Sequence, residues 1–327
     1  MIDLPSLIKK TNAFKIMSGD KKTGRLSHAY LVLTSDKEML SEYLKFFAKV
    51  IACENLEPCL NCRVCELIDK KAHPDVIFYP KKQESVSSEE VNELIEESFL
   101  RPIECDKKVF VILNAELMNA SAQNKLLKTL EEPPKNVHIL LGATSEFPLL
   151  STIKSRVKKL EIPSFDNQTI IDALKEDCPD IERLKTAVSC SDGSVGCALS
   201  LYNDEKLSKT TELVVDVLVN MNLSSQVLRY STKILKANID LSQFLSVAEL
   251  LLRDMLVESQ GQSNLVNNKI IIEQLKKAQK FNTGAIIHAL DTIIKAQQRK
   301  KFNMTPTMLV EWVLFQILEG KYKWQKF

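Results

Sequence analysis

Short, wholly apolar runs alternate with amphipathic stretches over the first half of the chain. Residues 29–33, 76–79, 109–113 and 137–141 read as strands, and 157–162 as a fifth. Runs of this length with few polar positions suit strands buried on both faces, as in a parallel sheet covered by helices. Between them, residues 37–52 place Leu40, Tyr43, Leu44, Phe47, Val50 and Ile51 near helical spacing. Ser87 opens a capping-box pattern with Glu90 three residues on, and Val91, Leu94 and Ile95 follow on one face. Residues 120–130 predict a further helix with Leu126, Leu127 and Leu130 inward, ended by Pro133-Pro134. The alternation predicts a three-layer α/β domain.

After about Pro163 the texture changes. Strand-like runs thin out and helical periodicity dominates. Asp166-Asn167-Gln168 predicts a cap for a helix through Leu174, and Ser191-Asp192-Gly193 a break. Beyond residue 207, Leu213, Val214, Val217 and Leu218 form one apolar face. Phe244, Val247, Leu250 and Leu251 form another, and Val310, Val313, Leu314 and Ile317 a third.

The chain has 327 residues, enough for two or three domains. Lys and Arg number 44 against 42 Asp and Glu, a net +2. That balance excludes a strongly basic nucleic-acid coat as a global description. Only 8 glycines occur, where average usage of about 7% would give roughly 23. Turn-rich all-β folds are disfavoured, and a phosphate-cradling loop has few glycines to draw on. No apolar run reaches a membrane span. Residues 1–5 lack the basic and apolar pattern of a signal peptide, so a reducing cytosol is expected.

In that compartment clustered cysteines point to metal or redox chemistry. Cys53, Cys59, Cys62 and Cys65 give C-x5-C-x2-C-x2-C. Four thiolates this close can close a tetrahedral zinc site, and a full set of four cysteine ligands leaves no open position, so the metal is structural. The alternatives are four incidental cysteines or a redox pair at Cys62 and Cys65. His73 is either a ligand in place of Cys53 or a turn residue before Pro74. Cys105, Cys178, Cys190 and Cys197 read as isolated small hydrophobes.

Several motifs now stand in one order. They are Ser27-His28-Ala29-Tyr30-Leu31, the cysteine cluster, His73-Pro74-Asp75, residues 122–134 (AQNKLLKTLEEPP), and Ser151-Thr152-Ile153-Lys154-Ser155-Arg156. The set, covering about residues 25–162, resembles the bacterial sliding-clamp loaders of DNA polymerase III, a family of AAA+ proteins. The helical remainder matches in layout, and residues 303–318 also resemble, less specifically, the end of the family's collar. The resemblance implies an AAA+ (RecA-like) α/β domain over 1–163 with an embedded zinc module, a small helical lid over 164–207, and an all-α collar over 208–327. It also implies a cytoplasmic, nucleoid-associated replisome. The implied partners are the ATPase subunits, the delta subunit, the sliding clamp and, through the assembly, primer-template DNA.

The family contains ATP-hydrolysing subunits and a non-hydrolysing type, delta-prime. In the hydrolysing ones the first strand leads into G-x-x-x-x-G-K-[ST], whose amides and Lys hold phosphates. Here residues 34–41 read Thr-Ser-Asp-Lys-Glu-Met-Leu-Ser, without a glycine. Leu40 falls at the lysine position and Ser41 at the hydroxyl position, while Asp36 and Glu38 repel a triphosphate. Leu113 and Asn114 replace an Asp-Glu pair that serves magnesium and water. The expectation is therefore no bound ATP and no hydrolysis by this chain. Arg156, at the Ser-Arg-Cys position with Val157 for Cys, is expected to reach a neighbour's ATP as an arginine finger in trans. The rival readings are an ATPase with an atypical phosphate loop and a zinc-stabilised DNA-repair adaptor.

Thr144 stands at a γ-phosphate sensor position, as a vestige or a strand-end hydrogen bonder. His28 is expected to pack near the sheet. Lys295, Arg299, Lys300 and Lys301 read as a solvated helix face, with DNA phosphate contact as the alternative.

Overall fold

Strand β1 (Ala29–Thr34) is buried at every position, as its unbroken apolar run predicts. It lies between β4 and β5, one strand in from an edge, in a five-stranded, all-parallel sheet with β2 (Val76–Tyr79), β3 (Lys108–Ile112), β4 (Val137–Ala143) and β5 (Lys158–Ile162). The order is β2-β3-β4-β1-β5. Ala29 stands opposite Ile139 on β4, and Tyr30 opposite Lys158 on β5. β5 is an edge strand whose exposed positions include Lys158 and Lys159, a charged edge that discourages further strand pairing. This is the α/β fold class with a parallel sheet that the sequence implies.

The computed structural model describes residues 3–81, 85–237, 239–262, 266, 281–300 and 305–323. The chain divides into two compact units. One comprises Met1–Thr169 with Ser194–Gly196, and the other Ile170–Gly193 with Cys197–Phe327.

In the first unit parallel strands require crossovers, and helices supply them. Two short helices lead in, α1 (Leu4–Lys10) and α2 (Asn12–Lys22). Asp3 and Thr11 cap them by accepting from the N–H groups of Ser6 and Phe14. Helix α3 (Leu40–Ala52) follows β1, and α4 (Arg63–Asp69) leads towards β2. Helix α5 (Ser88–Ser98) carries the expected capping box, with Ser87 and Glu90 bonding each other's backbone. Helix α6 (Ala120–Glu131) and the single turn α7 (Ser151–Lys154) complete the set. Val91 and Leu94 of α5 and Leu126 and Leu130 of α6 join Leu31, Phe110 and Ile139 in one buried cluster. Tyr43, Leu44, Phe47 and Ile51 of α3 are fully buried, each contributing about 1.5–3 kcal/mol.

The second unit is helical. Its elements are α8 (Asn167–Leu174, beginning in the first unit), α9 (Ile181–Ser189), α10 (Val195–Asn203, whose first two residues belong to the first unit), α11 (Glu205–Asn220), α12 (Ser224–Lys236), α13 (Leu241–Ser259), α14 (Thr283–Lys300) and α15 (Pro306–Lys323). The three apolar faces read from the sequence meet in one core holding Val214, Val217, Val247, Leu251, Val313 and Leu314. Buried Lys321 donates to the carbonyls of Leu218 (2.6 Å) and Met221 (2.9 Å) at the end of α11, where a cation offsets the helix dipole. Among the described residues no helix is long and apolar enough to cross a membrane.

Candidate functional site

Cys53 ends α3, Cys62 caps α4 and Cys65 lies in its first turn. With Cys59 they bring four sulfurs within 4.8 Å of one another. Cys53 Sγ lies 3.8 Å from Cys59 Sγ, which lies 4.0 Å from Cys65 Sγ. Thiolates about 2.3 Å from one tetrahedral ion would stand about 3.8 Å apart, so the donors fit zinc in number, softness and spacing. Leu60 takes a left-handed conformation (φ 66°) that turns the loop between Cys59 and Cys62. The Cys65 N–H points at Cys62 Sγ, 3.5 Å away. Without metal the thiols are unequal. The Asn61 backbone N–H, with the neighbouring Cys62, lowers Cys59 to about 6, whereas burial pushes Cys65 up. Lys21 ties the module down by donating to the carbonyls of Cys53 and Asn55.

His73 does not join the four cysteines. It is buried, accepts the Asp75 N–H at Nδ1 (3.0 Å), and sets Nε2 3.4 Å from Cys105 Sγ. Cys105 is thus not isolated, contrary to its sequence reading. Cys178 is buried as expected, while Cys190 and Cys197 are half-buried. Asp75, the third residue of His73-Pro74-Asp75, accepts N–H bonds from Ile103 (2.7 Å), Glu104 (2.6 Å) and Cys105 (2.8 Å). The motif thereby pins the segment that leads into β3.

The loop after β1 is filled by its own side chains. Asp36 is 4% exposed and turns inward. Its carboxylate accepts from the Met39 N–H (3.3 Å), the Tyr43 hydroxyl (3.4 Å) and the Gly196 N–H (3.1 Å). Gly196 lies so flat on the loop that a methyl there would come 2.5 Å from Glu38 Cβ and 2.7 Å from Asp36 Oδ1. Leu40 is 1% exposed and packs on the sheet, where a methyl on Gly142 would lie 3.1 Å from its Cδ1. The lysine position therefore belongs to the core. Ser41 is half-buried.

Beside β3 and β4 the polar groups are likewise engaged. The Leu113 N–H donates to Tyr79 O (2.8 Å), and Asn114, left-handed at φ 51°, accepts from the Leu117 N–H (2.9 Å). Thr144 is a strand-end hydrogen bonder. Its N–H (2.9 Å) and hydroxyl (2.7 Å) both donate to Glu116 Oε1. Glu116 Oε2 is buried with no hydrogen-bond partner among the described residues. Arg156 lies just before β5. Its Nη1 donates to Thr152 O (2.9 Å) and Ser155 Oγ (3.2 Å), and its Nη2 is 2.7 Å from Glu131 Oε1.

A family model described as "DNA polymerase III, delta subunit" matches residues 9–166. Over 320 residues the chain is 24% identical to DNA polymerase III subunit delta' of Bacillus subtilis, covering 94% of this chain and 95% of that protein. It is 25% identical over 309 residues to subunit delta' of Pseudomonas aeruginosa, covering 90% and 93%. Over most of its length the chain is thus similar to subunits of DNA polymerase III. It is also similar to the tau subunit of Bacillus subtilis, at 24% identity over 91% of this chain and 58% of that protein. A solved gamma subunit-related protein from Thermotoga maritima aligns with a TM-score of 0.42 at 20% identity, covering 93% of this chain and 99% of that one.

Several residues of this chain matter in ways that no local motif announces. Asp36 reads as a mere repulsive charge in sequence, yet it is the loop's internal hydrogen-bond acceptor. Glu116 and Glu131 hold Thr144 and Arg156 from 28 and 25 residues away. The Asn119 cap of α6, which accepts the Ala122 N–H at 2.8 Å, is the nearest local sign that the helix carrying Glu131 is fixed. The His28 carbonyl accepts the Ile139 N–H (2.8 Å), while its side-chain Nε2 is buried with no hydrogen-bond partner among the described residues. Lys295 pairs with Asp291 one turn away, as on a solvated face. The side chains of Arg299 and Lys300, and Lys301 altogether, lie outside the described residues.

Proposed function

We propose that this chain is the non-hydrolysing, delta-prime-like member of the clamp-loader complex. It works with the ATPase subunits, the delta subunit and the sliding clamp to load the clamp on primed DNA. The observation that carries the reading is the loop over 34–41. A phosphate cradle needs free backbone amides and a cation. Here the Met39 and Gly196 N–H groups already serve the Asp36 carboxylate, and the cation's place is a buried leucine. Glu116 likewise occupies Thr144 at the sensor position. Two carboxylates inside the would-be site oppose a triphosphate.

In this reading the chain contributes to ATP hydrolysis only through Arg156. A guanidinium facing the γ-phosphate of a neighbour's ATP offsets charge on the transferred phosphoryl group. Residues 164–207 act as a small lid and 208–327 as the collar that joins the ring. The four-cysteine module holds structural zinc, which fixes the turn between α3 and α4 and takes no part in the chemistry. The test is a clamp loader reconstituted with Arg156→Ala. Assembly is expected to be spared, and hydrolysis at the facing site to fall by roughly 10³-fold or more. Unchanged turnover with intact assembly removes the finger role.

A further inference from the structure

Arg156 is held rather than loose. Glu131 is the last residue of α6, where the helix carbonyls make a carboxylate unfavourable and a cation welcome. The carboxylate stands there with its oxygen 2.7 Å from Arg156 Nη2. Both side chains grow from firm roots. Leu126 and Leu130 anchor α6 in the core, and the Arg156 N–H bonds the carbonyl of fully buried Ile153 at 2.9 Å. The Glu131 side chain is 49% exposed and that of Arg156 34%. An ion pair this open adds little to stability. It does restrain a side chain that otherwise has many rotamers.

We propose that Glu131 is a positioning residue for Arg156. Glu131, Thr152 and Ser155 hold one side of the guanidinium. The Nε–H, which has no partner among the described residues, and the remaining Nη2–H stay open towards an incoming phosphate oxygen. Pre-setting the group removes the rotamer search that precedes its contact with the transition state. This rests on the finger reading of Arg156.

The experiment is steady-state ATP turnover by a clamp loader reconstituted from full-length chains, carrying Glu131→Gln, Glu131→Asp, Arg156→Ala, or Glu131→Gln with Arg156→Ala. Assembly is followed by size exclusion and folding by thermal melting. Glu131→Gln is expected to lower kcat about threefold to tenfold, less than Arg156→Ala, with KM for ATP within about twofold. Glu131→Asp restores part of the loss, and Glu131→Gln adds nothing once Arg156 is gone. If Arg156→Ala lowers kcat but Glu131→Gln does not, the positioning role is overturned and the finger stands. If Glu131→Gln costs as much without Arg156 as with it, Glu131 acts through the fold, which also overturns the proposal. If Arg156→Ala has no effect, the finger reading falls and the proposal with it.

Discussion

Asp75→Asn offers a demanding test of how the first unit is held together. Asp75 is 0% exposed. One carboxylate oxygen takes the Ile103 N–H, and the other takes those of Glu104 and Cys105. Burial by itself raises the pKa of such a group. The three donors, with His73 nearby, outweigh it and hold Asp75 below its usual range. Asparagine keeps the shape but offers one acceptor oxygen. Placed towards Glu104 and Cys105, it leaves an NH2 facing the Ile103 N–H. Hydrogen bonds to a charged group contribute about 1.5–3 kcal/mol, and an orphaned buried donor costs about 1–3 kcal/mol. The substitution is therefore expected to destabilise the chain by about 2–4 kcal/mol at pH 7. A depressed folded-state pKa stabilises above the unfolded value and is lost as pH falls through the folded one. The gap between wild type and variant should be full at pH 7 and narrow only as pH drops below about 4. Urea unfolding of the zinc-replete chain, followed by circular dichroism across that range, measures it. A variant within about 0.5 kcal/mol of wild type at pH 7, or a gap indifferent to acid, would refute the reasoning.

Gly142→Ala drives a methyl into Leu44 Cδ1 inside a filled core. A loss of about 1–3 kcal/mol in thermal or urea unfolding is expected, and an unchanged transition would mean that α3 yields freely. Cys62→Ser leaves three thiolate ligands, so metal content by mass spectrometry should fall below the one zinc per chain expected of wild type, along with the melting temperature. A folded native chain without metal contradicts the site. Metal should be released as pH falls, because the thiolates must take up protons. In the metal-free chain at pH 7, Cys59, lowered to about 6, should alkylate before Cys65. The reverse order would show that the Asn61 N–H does not govern this thiol.

The legible part of the fold is the part written in local pattern. Each predicted strand lies within two residues of an observed one, because a buried parallel strand is a short apolar run with few competing readings. The Ser87–Glu90 box is equally local. Helices α1 and α2 escape the pattern because each is only two or three turns long and rich in polar residues. The cysteine cluster is legible since its ligands are close in sequence. What holds the site is not. Asp36 reaches Gly196 across 160 residues, and Asp75 reaches Ile103 across 28. The direction a carboxylate turns is set by which backbone N–H groups the finished fold leaves unsatisfied. Cys105 looks like an isolated thiol for the same reason, since its His73 partner is 32 positions away.

In the proposed function, Asp36, Leu40 and Glu116 close the nucleotide site from within. The measurement that tests this closure most directly is a titration of the full-length, zinc-replete chain with ATP and magnesium, followed by calorimetry. No binding up to millimolar ATP is predicted. Micromolar binding would mean that Asp36 releases the Met39 and Gly196 amides to a phosphate, and the chain would then be an ATPase-type subunit with an atypical loop.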